Sequence, residues 1–198
     1  DTLKSVVTVT AQHRHMLDSV LKVFTIQPEY DLDLMGNNQG LSDITSKVLK
    51  SIEAVYEKEQ PDLVLIQGDT TTVFAAALAA YYKHIPVGHV EAGLRSRNKY
   101  HPFPEEINRC LTSVIAHLHF APTIEAKNNL LNEGVDENLI CVTGNTVIDA
   151  LLNTAKHDFT FEHDSLNTIK GKIVLITAHR RESFGQPFID ICNAILTL

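Results

Sequence analysis

Residues 61–106 read PDLVLIQGDTTTVFAAALAAYYKHIPVGHVEAGLRSRNKYHPFPEE, and their reading decides the fold. Leu63 to Ile66 is a short apolar run of the kind that forms a buried strand. It runs into Gln67-Gly68-Asp69-Thr70-Thr71-Thr72, where threonine hydroxyls can cap an alanine-rich helix. His84-Ile85-Pro86 closes that helix, and Val87 to Val90 forms a second strand that enters Glu91-Ala92-Gly93. Open α/β sheets bind ligands beyond the carboxyl ends of their strands. Asp69 and Glu91 both fall at such ends and should face one crevice. A long loop then brings Pro104-Glu105-Glu106 to the start of a helix. Three converging acidic side chains are the main chemical signal.

The pattern continues on both sides. Val6 to Thr10 is β-branched and reads as a buried parallel strand. Ala11-Gln12-His13-Arg14-His15 lies at its carboxyl end, and Met16, Leu17, Val20, Leu21, Val23 and Phe24 recur at helical spacing. Asp31 to Leu34 is a weak strand. Ser42 is a candidate N-cap for a helix that Pro61 ends. Downstream, a helix is expected from Glu105 to Ala116, with acidic residues at its positive end. Leu118 to Ala121 reads as a strand, Ile124 to Glu133 as a helix stopped by Gly134, and Leu139 to Thr143 as a strand before an Asn145-Thr146 cap. Lys156 to Lys170 is polar and aperiodic, a link between domains. Ile173 to Thr177 then opens a further strand–helix unit, with Ala178-His179-Arg180-Arg181-Glu182-Ser183 at its end. Strand and helix alternate throughout, which implies a doubly wound parallel sheet.

The 198 residues are 44% hydrophobic, enough for a real core, and carry a net charge of −7 without a basic stripe. Nucleic acid is therefore not an expected partner. With no run of eighteen apolar residues and no leader pattern, a membrane span is not expected either. Cys110, Cys141 and Cys192 are odd in number and far apart, which suits thiols in a reducing cytoplasm. The first residue is not Met and the last helical pattern is unfinished, so a fragment is expected.

Each candidate has a plainer reading. Asp69 could be a turn residue, and Glu105 and Glu106 could be favourable first-turn charges. Glu91 is harder to dismiss, because a carboxylate between an apolar strand and a glycine is costly unless solvated, hydrogen-bonded or paired. Grouped carboxylates suit acid–base work, one as acid and another as base. His179 is either a satisfied hydrogen-bonder or an anion contact; Arg180 and Arg181 tilt it toward phosphate. His13/His15 and His117/His119 are spaced for one face of a strand, but lack a third ligand, so no metal is expected. No GxGxxG, Walker A or GxSxG pattern appears.

Gln67-Gly68-Asp69-Thr70-Thr71-Thr72, His89-Val90-Glu91-Ala92-Gly93-Leu94-Arg95, Pro102-Phe103-Pro104-Glu105-Glu106-Ile107-Asn108-Arg109, Val142 to Asp149, and His179-Arg180-Arg181-Glu182-Ser183-Phe184-Gly185 stand in that order. Together they resemble the non-hydrolysing UDP-N-acetylglucosamine 2-epimerases of bacteria. The resemblance implies a GT-B arrangement of two Rossmann-like domains, here 1–165 as the first and 166–198 as the start of the second. It implies reversible conversion of UDP-N-acetylglucosamine to UDP-N-acetylmannosamine by elimination and re-addition of UDP, without cofactor or metal, to supply surface polysaccharide. Carried over by motif, Asp69, Glu91, Glu105 and His179 are catalytic, and Asp69, Glu91, His179 and Arg180 touch substrate. A homodimer is implied as well. Some family members bind a second UDP-N-acetylglucosamine as activator. Gln12, His15, Asn38, Glu105 and Arg180 mark that candidate allosteric site, with His15 standing where those members have Gln and Asn38 where they have Arg.

The family's opening strand and GTRPEA loop, and most of its second domain, have no counterpart here, so little activity is expected of this chain alone. Three other readings remain: a hydrolysing epimerase, a GT-B glycosyltransferase and a nucleotide-sugar binding module.

Overall fold

The computed structural model describes residues 3–11, 14–34, 36, 39–178 and 184–197, and the backbone alone of His15. Four parallel strands form the principal sheet: β3 (Val64–Gln67), β4 (Val87–Val90), β5 (Leu118–Ala121) and β6 (Ile140–Val142), side by side in that order. Register is regular, with Ile66 opposite His89, His89 opposite His119, and His119 opposite Ile140. A second, two-stranded parallel sheet pairs β1 (Thr8–Val9) with β2 (Tyr30–Asp31). The expected run Val6 to Thr10 contracts to a two-residue strand, although backbone bonds continue on either side of it, from Tyr30 N to Val7 O at 3.2 Å and from Leu34 N to Thr10 O at 3.1 Å.

Helices connect the strands. α1 (Arg14–Val23) lies between β1 and β2, and α2 (Leu41–Glu59) precedes β3. α2 starts one residue before the expected Ser42 cap. Asp43 reaches back to accept from the Gly40 backbone N–H at 3.1 Å, so Gly40 takes the N-cap place and Ser42 lies inside. α3 (Thr71–Tyr82) is capped by Thr70, whose hydroxyl accepts from Val73 N at 3.4 Å. α4 (Glu105–Ile115) and α5 (Ile124–Asn132) follow β4 and β5, and α6 (Thr146–Thr154) follows β6. Asn145 caps α6 through a 3.0 Å bond from Val147 N. Gly134, with φ +88°, ends α5 in the left-handed conformation that glycine adopts without strain.

The core sits where α2 and α3 meet β3 and β4. It is built from Ile52, Tyr56, Val64, Ile66, Val73 and Val87 together with the α3 alanines. Ala75, Ala77 and Ala80 are fully buried. Their small side chains let α3 take α2 on one flank and α4 on the other at close range. A second cluster, Ala92, Ala121, Ala126, Leu130 and Ile140, fixes α5 against β5 and β6. The opposite face of the sheet is more open: Leu65 is 63% exposed.

By their internal contacts the residues fall into two units, 1–152 and 153–198. The second unit holds α7 (Asp164–Asn167) and α8 (Gln186–Ile195). The expected strand Ile173–Thr177 does not form, and its side chains are exposed. A parallel strand needs a neighbour for its N–H and C=O groups, and among the described residues of 153–198 there is no other strand.

Candidate active site at the strand ends

Asp69 and Glu91 stand just beyond the carboxyl ends of the neighbouring strands β3 and β4. The turn between β3 and α3 depends on Gly68, whose φ of +88° a side chain would resist. A Cβ there would also sit 3.9 Å from Glu91 Oε2, so the Glu91 carboxylate lies against the residue before Asp69.

Asp69 is held from α4. Its Oδ2 accepts from Arg109 Nε at 3.0 Å and Nη2 at 2.7 Å, and its backbone carbonyl accepts from Asn108 Nδ2 at 2.9 Å. The Asp69 side chain is about 30% exposed, and both bonds from Arg109 fall on Oδ2. Glu91 is held differently. Gln67 Nε2 donates to its Oε2 at 2.7 Å, and Asn145 Nδ2 donates to Oε1 at 3.3 Å. Its φ of +69° is unusual for a residue with a Cβ, and strain of this kind gathers at functional sites. The acidic groups on β3 and β4 are thus oriented by neutral amides from β3 and the β6–α6 turn and by one guanidinium from α4.

Glu105 and Glu106, equivalent by spacing, separate in the structure. Glu105 is half-buried in the first turn of α4, one turn before Arg109. Glu106 is only 3% exposed. Its carboxylate accepts from Ser96 N at 2.9 Å, Arg97 N at 2.8 Å and Arg109 Nη1 at 3.2 Å. Burial acts to raise the Glu106 carboxyl, but the Ser96 and Arg97 amides and Arg109 outweigh it and hold it below the usual carboxylate range. Glu106 therefore ties the loop after β4 to α4 and holds the guanidinium that grips Asp69. Arg95, from the same loop, forks onto Glu133 at 2.8 and 2.7 Å and donates to Ser113 Oγ at 2.8 Å. At Gly93 the backbone passes so close to α5 that a Cβ would lie 2.2 Å from the Ala126 carbonyl oxygen.

Sequence reasoning singled out Asp69, Glu91 and Glu105, weighed Glu106 only as their neighbour in the first turn and Asn145 only as a cap, and missed the roles of Arg109, Asn108 and Gln67. The i, i+3 spacing of Glu106 and Arg109 carried a signal for their pairing. The bond from Arg109 to Asp69, forty residues apart, carried none. His179, Arg180, Gln12 and Asn38 lie outside the described residues, and His15 is placed only by its backbone at the start of α1. Among the described residues no three His, Cys, Asp or Glu side chains gather to hold a metal; His119 is buried while His117 is exposed. Two depressions of about 230 and 330 Å³ open at the amino ends of β4 and β5, away from these carboxylates.

A parallel sheet with acidic residues at adjacent strand ends, clamped from the next helix, defines a Rossmann-like α/β domain. The family model described as UDP-N-acetylglucosamine 2-epimerase matches residues 1–198, and the chain belongs to that family. A Bacillus subtilis UDP-N-acetylglucosamine 2-epimerase is 52% identical over 194 residues, covering 98% of this chain and 50% of that protein. A crystallised Listeria monocytogenes relative is 52% identical with a TM-score of 0.89, over 98% of this chain and 51% of its own. The Neisseria meningitidis UDP-GlcNAc 2-epimerase, solved bound to UDP-GlcNAc, is 55% identical with a TM-score of 0.75, over 79% of this chain and 43% of that one. The solved relatives have the GT-B-like fold. The chain spans about half the length of the curated relatives it matches.

Proposed function

We propose that the protein epimerises UDP-N-acetylglucosamine at C2, giving UDP-N-acetylmannosamine for surface polysaccharide synthesis. The observation that carries this reading is the pair of carboxylates, Asp69 and Glu91, at the ends of adjacent strands, each oriented by neighbouring side chains and only partly buried. Family membership and the UDP-GlcNAc complex of the Neisseria relative support the substrate.

In the chemistry proposed, one carboxylate of the set Asp69, Glu91 and Glu105 removes the C2 proton. The C1–O bond breaks, and a second, protonated group supplies a proton to the departing UDP. A 2-acetamidoglucal remains bound. UDP then adds back to C1 while a proton arrives at C2 from the opposite face, so atoms balance without a redox partner. His179 and Arg180 are assigned to the diphosphate, where guanidinium and imidazole donors offset the developing charge. The three unpaired cysteines suit a cytoplasmic setting. Ile107, Leu111 and Val114 form an exposed apolar stripe along α4, which supports assembly as a homodimer through that helix. The first domain is taken as 1–165 and the second as beginning at 166.

The test is epimerisation in heavy water by the complete gene product. Deuterium at C2 of recovered UDP-sugar is expected, and Asp69→Asn should reduce turnover by roughly 10²- to 10⁴-fold while largely sparing UDP binding. Release of free N-acetylmannosamine would instead identify the hydrolysing reaction. Full activity of Asp69→Asn would overturn the assignment.

A further inference from the structure

We propose that His89 is a positioning residue that fixes Asp69 by holding the peptide in front of it. This rests on the reading of Asp69 as a catalytic carboxylate. His89 occupies the row Ile66–His89–His119–Ile140 that crosses the sheet on its helix-covered face. The ends of that row are apolar, and an aliphatic side chain would suit the same packing. The imidazole nevertheless has no exposed surface. Burying it carries a desolvation cost that a specific bond must offset.

That bond runs from His89 Nε2 to the Gly68 carbonyl oxygen at 2.8 Å. A carbonyl only accepts, so Nε2 carries the proton. The other ring nitrogen, Nδ1, is buried without a partner, as suits a bare lone pair in a neutral ring. A second proton there would have no acceptor. Burial lowers the readiness of the ring to charge, and the nearby Arg95 adds to this, against the opposing influence of the Gly68 bond and Asp69. His89 is thus a fixed neutral donor rather than a proton carrier.

The bond completes a three-sided hold on the turn. Gly68 N donates to Val90 O at 3.1 Å, His89 binds the Gly68 carbonyl, and Asn108 binds the Asp69 carbonyl. With both carbonyls tethered, the peptides before and after Asp69 are each held in one orientation, and the Asp69 side chain leaves between them in the direction that meets Arg109. Reaction rates depend steeply on such placement: displacement of about 1 Å can cost roughly 10²-fold.

Two substitutions in the complete gene product test this. In His89→Gln the amide N–H reaches the place of Nε2; in His89→Asn it falls one methylene short. His89→Gln is expected to keep kcat within about 3-fold. His89→Asn should lose about 10- to 100-fold in kcat with KM little changed. The Asp69 amide should exchange with solvent about 10-fold faster in His89→Asn than in His89→Gln. Equal kcat and equal exchange in the two variants, or a loss confined to KM, would overturn the proposal. If both variants fail to fold, nitrogen NMR of the unmodified His89 ring decides: a proton on Nε2 at neutral pH supports the bond, and one on Nδ1 overturns it. The exchange and NMR readouts do not depend on the reaction. A fully active Asp69→Asn would therefore sink the functional reading without being mistaken for failure of the His89 hold.

Discussion

Residues 63–69 (LVLIQGD) and 173–179 (IVLITAH) are close counterparts as local sequence: an apolar run, a polar residue, a small residue and then an ionisable one. Their structures differ. The first forms β3, hydrogen-bonded along its length to β4 and covered on one face by α3. In the second, residues 173–178 enter no ladder, and Leu175 is 86% exposed. The contrast shows what the pattern lacks by itself. Strand propensity is a fit to a pleated surface already lined by neighbours, and its value depends on their presence. β3 also delivers Asp69 to a clamp made by other elements, which a similar run without neighbours cannot do.

Hydrogen exchange offers the largest expected contrast. In this 198-residue chain the amides of Ile66 and His89 should open only with global unfolding, and therefore exchange at least about 10³-fold more slowly than those of residues 174–177. Comparable protection in the two segments, measured by mass spectrometry or NMR, would break the distinction.

Glycine substitutions sharpen it in energetic terms. Gly93→Ala places a Cβ against the Ala126 carbonyl in a backbone with φ +86°. We expect a loss of about 3 kcal/mol or more in urea unfolding, combining overpacking with left-handed strain. Gly171 has φ +108° and nothing within 4 Å of its added Cβ. Gly171→Ala should cost no more than about 1–2 kcal/mol. Equal losses would mean that residues 153–198 pack as tightly around that glycine as 1–152 do around Gly93.

A pH titration adds a smaller effect. His119 is buried and its pKa is lowered from 6.5 to about 4, first by desolvation and then by His89, with Arg95 and His117 adding to this and a bond to the Ala116 backbone opposing. Its folded pKa is below its unfolded one, so the unfolded chain binds more protons between those values. Stability is complete above about pH 6.5 and falls as pH drops toward 4, by at most about 3 kcal/mol from this group. Thermal melts of the wild type and His119→Asn from pH 7 to 4.5 should converge as pH falls. A constant gap would rule out the neutral buried ring as the source.

Much of this arrangement was legible beforehand. The strand–turn–helix order placed Asp69 and Glu91 at one edge, because strand ends and glycines are local features. Thr70 as the cap of α3 and Asn145 as the cap of α6 could be read for the same reason. What escaped was contact at a distance. The difference between Glu105 and Glu106 depends on where the Ser96 and Arg97 amides fold back, and the role of Arg109 depends on α4 lying beside α3. Gly40 displaced Ser42 as a cap because Asp43 supplied the returning bond. The segment 173–177 shows the converse error, in which a correct local preference had no partner to act on.

The left-handed backbone at Glu91 has an evolutionary corollary. A side chain with a Cβ costs on the order of 1 kcal/mol there, and glycine or asparagine would relieve part of it. Selection of variants for heat resistance alone would drift toward those residues and discard an acid that turnover is proposed to require. A glutamate at this corner is the choice of a chain kept for what it does rather than for how firmly it stands.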